Sequence, residues 1–159
     1  MFIAHLPAGY LLTRTMQRKA NRMSPKLMWL GLIASIFPDS DLAWFYLVDH
    51  HKVLHHSYVT HMPLAWLALC SIAAVLCVLL QKRQWLFAVT IVLANTELHM
   101  VLDTIVGGIS WLAPFNDKAL FLVTITPHYS YWPANFFLHW TFALELLIVA
   151  VAYRTWKRS

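Results

Sequence analysis

Five histidines fall within the twelve residues of "HHKVLHHSYVTH" (His50, His51, His55, His56 and His61), in a 159-residue chain that is 60% apolar and only 12% charged. Imidazole carries protons near neutral pH and is the commonest metal ligand. Solvated loops need no such density of it. His56 and His61 are five residues apart and do not share a helical face. Pro63 suits the first turn of a helix, so His61 stands at a helix start and His56 in the loop before it. Two imidazoles can then approach one point from different directions. His50 and His51 read as solvated, while His55 is open between solvation, pH sensing and support of a ligand.

A second pair is His99-x3-Asp103 in "LHMVLDTI". Residues four apart lie on one face of a helix, so a single helix presents an imidazole and a carboxylate together. Asn95, four residues earlier, extends the stripe and could orient a ligand from behind, whereas Glu97 points to the other side. "FPDSD" supplies Asp39 and Asp41. Pro38 removes a backbone donor and disfavours helical geometry at Phe37, and the break can let two carboxylates converge that a continuous helix would splay. Asp39 could otherwise simply cap the restarted helix. With His5, the candidate metal ligands are His5, Asp39, Asp41, His56, His61, His99 and Asp103. Imidazole and carboxylate without a thiolate favour zinc, with manganese or iron as substitutes. Seven ligands exceed one tetrahedral site and suit two metals. Such a pair generates hydroxide at neutral pH and clamps the attacking and leaving oxygens of a phosphoryl or acyl transfer. Asp41, Asp39 and His61 are the candidate catalytic residues. His128 and His139 stay open, and His139 could equally bond within a helix bundle.

These residues must be positioned by elements built for lipid. Residues 62–80 run nineteen positions without a charge, enough to cross a hydrocarbon core of ~30 Å. Further apolar stretches cover residues 2–12 (extendable to 16), 27–48, 85–109 and 134–153. Nothing basic precedes the first stretch and no small-residue cleavage site follows it, so no cleaved leader is expected. The expectation is one integral-membrane domain over residues 1–159, an all-α polytopic bundle of about five helices with a long interfacial loop. The formal charge of +5 sits in three clusters: Arg14, Arg18, Lys19, Arg22 and Lys26; Lys82 and Arg83; and Arg154, Lys157 and Arg158. They read as cytoplasmic anchors, not as a nucleic-acid patch. Cys70 and Cys77 read as small buried hydrophobes.

Five crossings put all three clusters inside. The histidine loop and the aromatic loop 107–133 then lie outside, the latter as a lid or an interfacial belt. Asp39 and Asp41 fall ~18–21 Å, and His99 and Asp103 ~21–27 Å, above the inner ends of their helices. His5, His56, His61 and His139 reach the same outer half. Ionisable groups in a bilayer are costly unless they share a site or a wet cavity.

The early His5 in "AHLPAGYLL", then "PDSD", then His56-x4-His61 with Thr60 before the second histidine, then "LHMVLDTI", resemble a family of bacterial inner-membrane metal-dependent hydrolases, sometimes described as LexA-binding. The HxxxD pair is also similar to that of zinc-dependent phospholipase C and P1 nuclease. The resemblance covers roughly residues 1–115 and implies the seven ligands named above, a bacterial inner-membrane location and hydrolytic chemistry. Ser57 and Tyr58 replace the family's Arg-Gly, Leu42 a histidine and Met62 a serine. The implied activity is hydrolysis of a phosphoester or acyl ester of a lipid-borne substrate, with membrane lipid as the partner. The alternatives are a di-iron oxygenase, since His51-x3-His55-His56 matches one histidine box, and a metal transporter.

Overall fold

The computed structural model describes residue 1, residues 3–50 and residues 52–158. His51, and with it the oxygenase-like histidine box, lies outside the described residues. The described chain is helical, with no strand and two isolated antiparallel bridges, Ile109 to Leu120 and Leu112 to Asn116. In order, the helices are α1 (His5–Lys19), α2 (Pro25–Ile36), a 3-10 turn (Phe37–Asp41), α3 (Leu42–Leu47), α4 (Pro63–Leu79), α5 (Leu86–Val106), α6 (Trp132–Phe137) and α7 (Trp140–Lys157).

The boundaries follow local chemistry. Pro25 and Pro63 open α2 and α4, where the first N–H groups have no helical partner. Asn21 and Gln81 adopt left-handed φ values of 52° and 55° and close α1 and α4. Beyond them, Arg22 N donates to Gln17 O at 2.9 Å and Lys82 N to Cys77 O at 2.7 Å, which satisfies the last carbonyls. Arg18, Lys19, Arg154 and Lys157 sit in final turns, where cations meet the negative end of the helix dipole.

Helix α5 is the axis. Ile91, Asn95, His99 and Asp103, each four residues on, are all buried along one stripe. Helices α1, α2 and α4 pack around it, and α7 packs on α1. The α1–α2 contact is very close: a Cβ at Gly31 would stand 2.1 Å from Thr13 Oγ1, so only glycine fits there. Asn95 Nδ2 donates to Thr13 Oγ1 at 3.0 Å and to Ile91 O at 2.8 Å. It therefore ties α1 to α5 and does not orient a ligand from behind, as the stripe alone suggested.

One helical stretch among the described residues, Arg83–Val106 with its 3-10 lead-in, is long and apolar enough to cross a membrane; Pro63–Leu79 is apolar but shorter. Helix α2 stops after 12 residues because Pro38 diverts the chain into a 3-10 turn, and the apolar stretch from Ala134 is divided between α6 and α7.

Candidate metal centre

Three histidines are fixed in the same way. His61 Nδ1 lies 2.7 Å from Asp41 Oδ2, His99 Nδ1 lies 2.8 Å from the Ser35 carbonyl, and His56 Nδ1 lies 2.5 Å from the Gly107 carbonyl. Each contact places the imidazole proton on Nδ1 and leaves Nε2 as a lone-pair donor. All three Nε2 atoms then turn towards Asp103 Oδ2, at 3.8 Å from His61, 3.8 Å from His56 and 3.0 Å from His99. Asp39 Oδ1 stands 3.6 Å from both His61 Nε2 and His99 Nε2.

The elements explain the convergence. The α5 stripe carries His99 and Asp103, and the 3-10 turn after Pro38 swings Asp39 and Asp41 to the same side. Trp66 Nε1, on α4, donates to Thr60 O at 2.8 Å and pins the turn that holds His61. The Thr60 hydroxyl donates to the same Asp41 oxygen that accepts from His61. A Cβ at Gly107 would lie 2.2 Å from His56 Cε1, so the bare backbone is what admits that ring. His5 stacks on His99 with ring centroids 3.9 Å apart, and its Nε2 lies 3.1 Å from Asp103 Oδ1 and 2.9 Å from Met1 O. The Met1 amino nitrogen donates to Asp103 Oδ1 at 2.5 Å.

All seven candidate ligands therefore belong to one connected cluster. Asp41 faces the rear of His61, while Asp39 lies among the free nitrogens. Sequence left His55 open; its Nε2 lies 3.4 Å from Asp39 Oδ1 and its Nδ1 3.2 Å from Asp41 Oδ1. Burial opposes the charged form of His55, but the hydrogen bonds and charges of the two aspartates outweigh it and push its pKa from 6.5 up to about 9. Burial holds the His56 pKa below the ordinary value against the pull of Asp103, which keeps that ring neutral, as a ligand must be.

The remaining histidines stand apart. His50 is exposed in a turn with φ 46°. His139 caps α7, accepting from Thr141 N at 3.4 Å, and with His128 it lines a separate cavity of about 170 Å³.

A divalent metal fits this donor set. His61 Nε2, His99 Nε2 and Asp103 Oδ2 are buried without a hydrogen-bond partner, an expensive arrangement unless a cation joins them. Asp39, His61, His99 and Asp103 can each offer an atom within 4.8 Å of the others, and so can His55, His56 and His61. Bonds of ~2 Å from one ion to several ligands require such separations. One side of the cluster, Asp39, His55, His56 and Asp103, lines a cavity of about 910 Å³.

A family model described as "YdjM inner membrane protein" matches residues 1–158. The Inner membrane protein YbcI of Escherichia coli (strain K12) is 28% identical over 109 residues, 61% of this chain and 58% of that protein. The chain thus spans little more than half the length of this curated relative. No solved structure matches.

Proposed function

Because the chain belongs to the YdjM inner membrane protein family, its buried cluster sits in a protein of the bacterial inner membrane, and we propose that it is a multi-pass, metal-dependent hydrolase of a phosphoester or acyl ester in a lipid-borne substrate. The observation that carries this is the set of three imidazoles, each fixed through Nδ1 and aiming Nε2 at Asp103 Oδ2, behind a cavity that His56 and Asp103 line. A purely structural hydrogen-bond network would use those nitrogens; here two of the three, His61 Nε2 and His99 Nε2, are buried without a well-formed hydrogen bond, His99 Nε2 having the Asp103 and Asp39 carboxylates nearby.

His56, His61, His99, Asp39 and Asp103 would hold zinc, two ions if His55 joins, with manganese or iron as substitutes. Zinc in such a site supplies Lewis acidity and acidifies a coordinated water. The protein's own groups divide the rest of the work. Asp41 holds His61 in one tautomer and orientation. Asp39, with 31% of its side chain exposed, is the carboxylate best placed to accept a proton from a water in the cavity. Where His55 is not itself a ligand, its position beside Asp39 at the cavity lets it return a proton to the leaving oxygen. The five-crossing topology puts this chemistry in the periplasmic half of the bilayer, since the three basic clusters mark the cytoplasmic side.

Elemental analysis of the purified protein beside His99→Ala and Asp103→Ala tests the proposal. Stoichiometric zinc in the parent and its loss in both variants, together with loss of hydrolysis across phospholipid and isoprenyl phosphate substrates, is the expected result. Equal metal content in all three would end it. Stoichiometric iron with oxygen-dependent turnover would favour a di-iron oxygenase built on His55, His56 and His61.

A further inference from the structure

The cavity over the metal cluster is apolar along most of its wall, with Leu42, Phe45, Met62, Val106 and Ala113 among its lining residues. At about 910 Å³ it lies near the upper end of the roughly 300–1,000 Å³ typical of small-molecule sites. Its rim is also apolar: Leu54 is 82% exposed, Phe121 54% and Tyr46 52%. Large exposed side chains around an opening, in an inner membrane protein, belong against lipid and not against water. Apart from the cluster's own groups (Asp39, His55, His56, Asp103 and the Met1 amino group), the one charged side chain among the described lining residues is Asp117.

Resting on the hydrolase proposal for where the head group sits, we infer that this cavity receives the apolar chains of a lipid entering sideways from the bilayer, and that it selects head groups with no more than one phosphate. A single phosphate or ester at the floor is met by the metal cluster and His55. A second phosphate, as in a diphosphate or a cardiolipin head, would extend along a wall that offers Asp117 and no cation. A phosphate brought beside that carboxylate meets like-charge repulsion. Zwitterionic and singly phosphorylated lipids carry no such penalty.

Binding can be read without turnover. The full chain in detergent is incubated with equal amounts of phosphatidylcholine and cardiolipin, and retained lipid is measured by native mass spectrometry. Phosphatidylcholine should be retained about tenfold over cardiolipin, a difference of ~1.4 kcal/mol. Ala119→Trp, which fills the cavity, should lower phosphatidylcholine retention at least about tenfold with unchanged metal content. Phe121→Asp, which makes the exposed entrance polar, should do the same. Asp117→Lys should narrow the gap between the two lipids. Equal retention of both lipids, retention unaffected by Ala119→Trp and Phe121→Asp, or a gap untouched by Asp117→Lys would overturn the inference. Hydrolysis without lipid preference would overturn it and leave the hydrolase proposal standing. Selective retention by a protein that cleaves no ester would do the reverse.

Discussion

At the scale of single residues, the contacts on the far side of each imidazole matter as much as the atoms facing the cavity. Asp41 is the test case. Asp41→Asn keeps the shape but removes the charge that fixes His61, so zinc affinity should fall roughly 10–100-fold with the fold intact. Competition with a fluorescent chelator measures it, and an unchanged affinity would show that Asp41 does not orient His61. His55 sets a pH dependence. Its folded pKa of about 9 lies above the ordinary 6.5, so in metal-free protein its stabilisation is complete below the lower value and lost as pH rises through the upper one. Thermal unfolding of metal-free protein should shift to lower temperature between about pH 7 and about pH 10, and the shift should shrink in His55→Gln. The His99–Asp103 pairing was legible because helical periodicity alone brings residues four apart together. His55 was not, since an irregular loop has no period from which to read a direction.

At the scale of elements, the sequence announced the break at Pro38 and the helix start at Pro63, both consequences of a missing backbone N–H. It did not announce how the helices clasp one another. Glu145, buried on α7, accepts from Ile3 N at 2.7 Å and Ala4 N at 3.2 Å, so a carboxylate deep in one helix anchors the entry to another. That entry is where His5 begins its stacking on His99. Contacts separated by more than a hundred residues leave no local signal. Glu145→Leu leaves those N–H groups without that acceptor, at a cost of ~1–3 kcal/mol for the buried Ala4 N–H. A lower unfolding temperature, together with loss of the His5–His99 ring-current signature in NMR spectra of the metal-loaded protein, is the expected outcome. An unshifted His5 resonance would show that α1 holds its place without α7.

At the scale of the whole molecule, the pattern of polar residues at one depth was read from basic clusters and apolar runs; the structure gathers them into one connected cluster except His139, which caps α7 beside a separate cavity. Apolar length was the less reliable guide, because a run of lipid-like residues does not reveal where its helix is interrupted: the runs at 27–48 and 134–153 are each divided. The topology makes its own prediction. Single cysteines at Ser57 and Asn116, in a background lacking Cys70 and Cys77, should react in intact spheroplasts with a maleimide that cannot cross the membrane, and one at Lys82 only after lysis. Reaction at position 82 in intact spheroplasts would invert or abolish the proposed orientation. The anchoring of α1 by α7 also bears on biogenesis. Asp39, Asp41 and Asp103 emerge from the ribosome well before Glu145, so these carboxylates enter the translocon ahead of the helix that clamps the start of α1. The His5 side of the cradle is clamped only after the last helix is synthesised, so at the proposed metal site the support from α1 would arrive last, and until then the carboxylates of the nascent chain need hydrated surroundings.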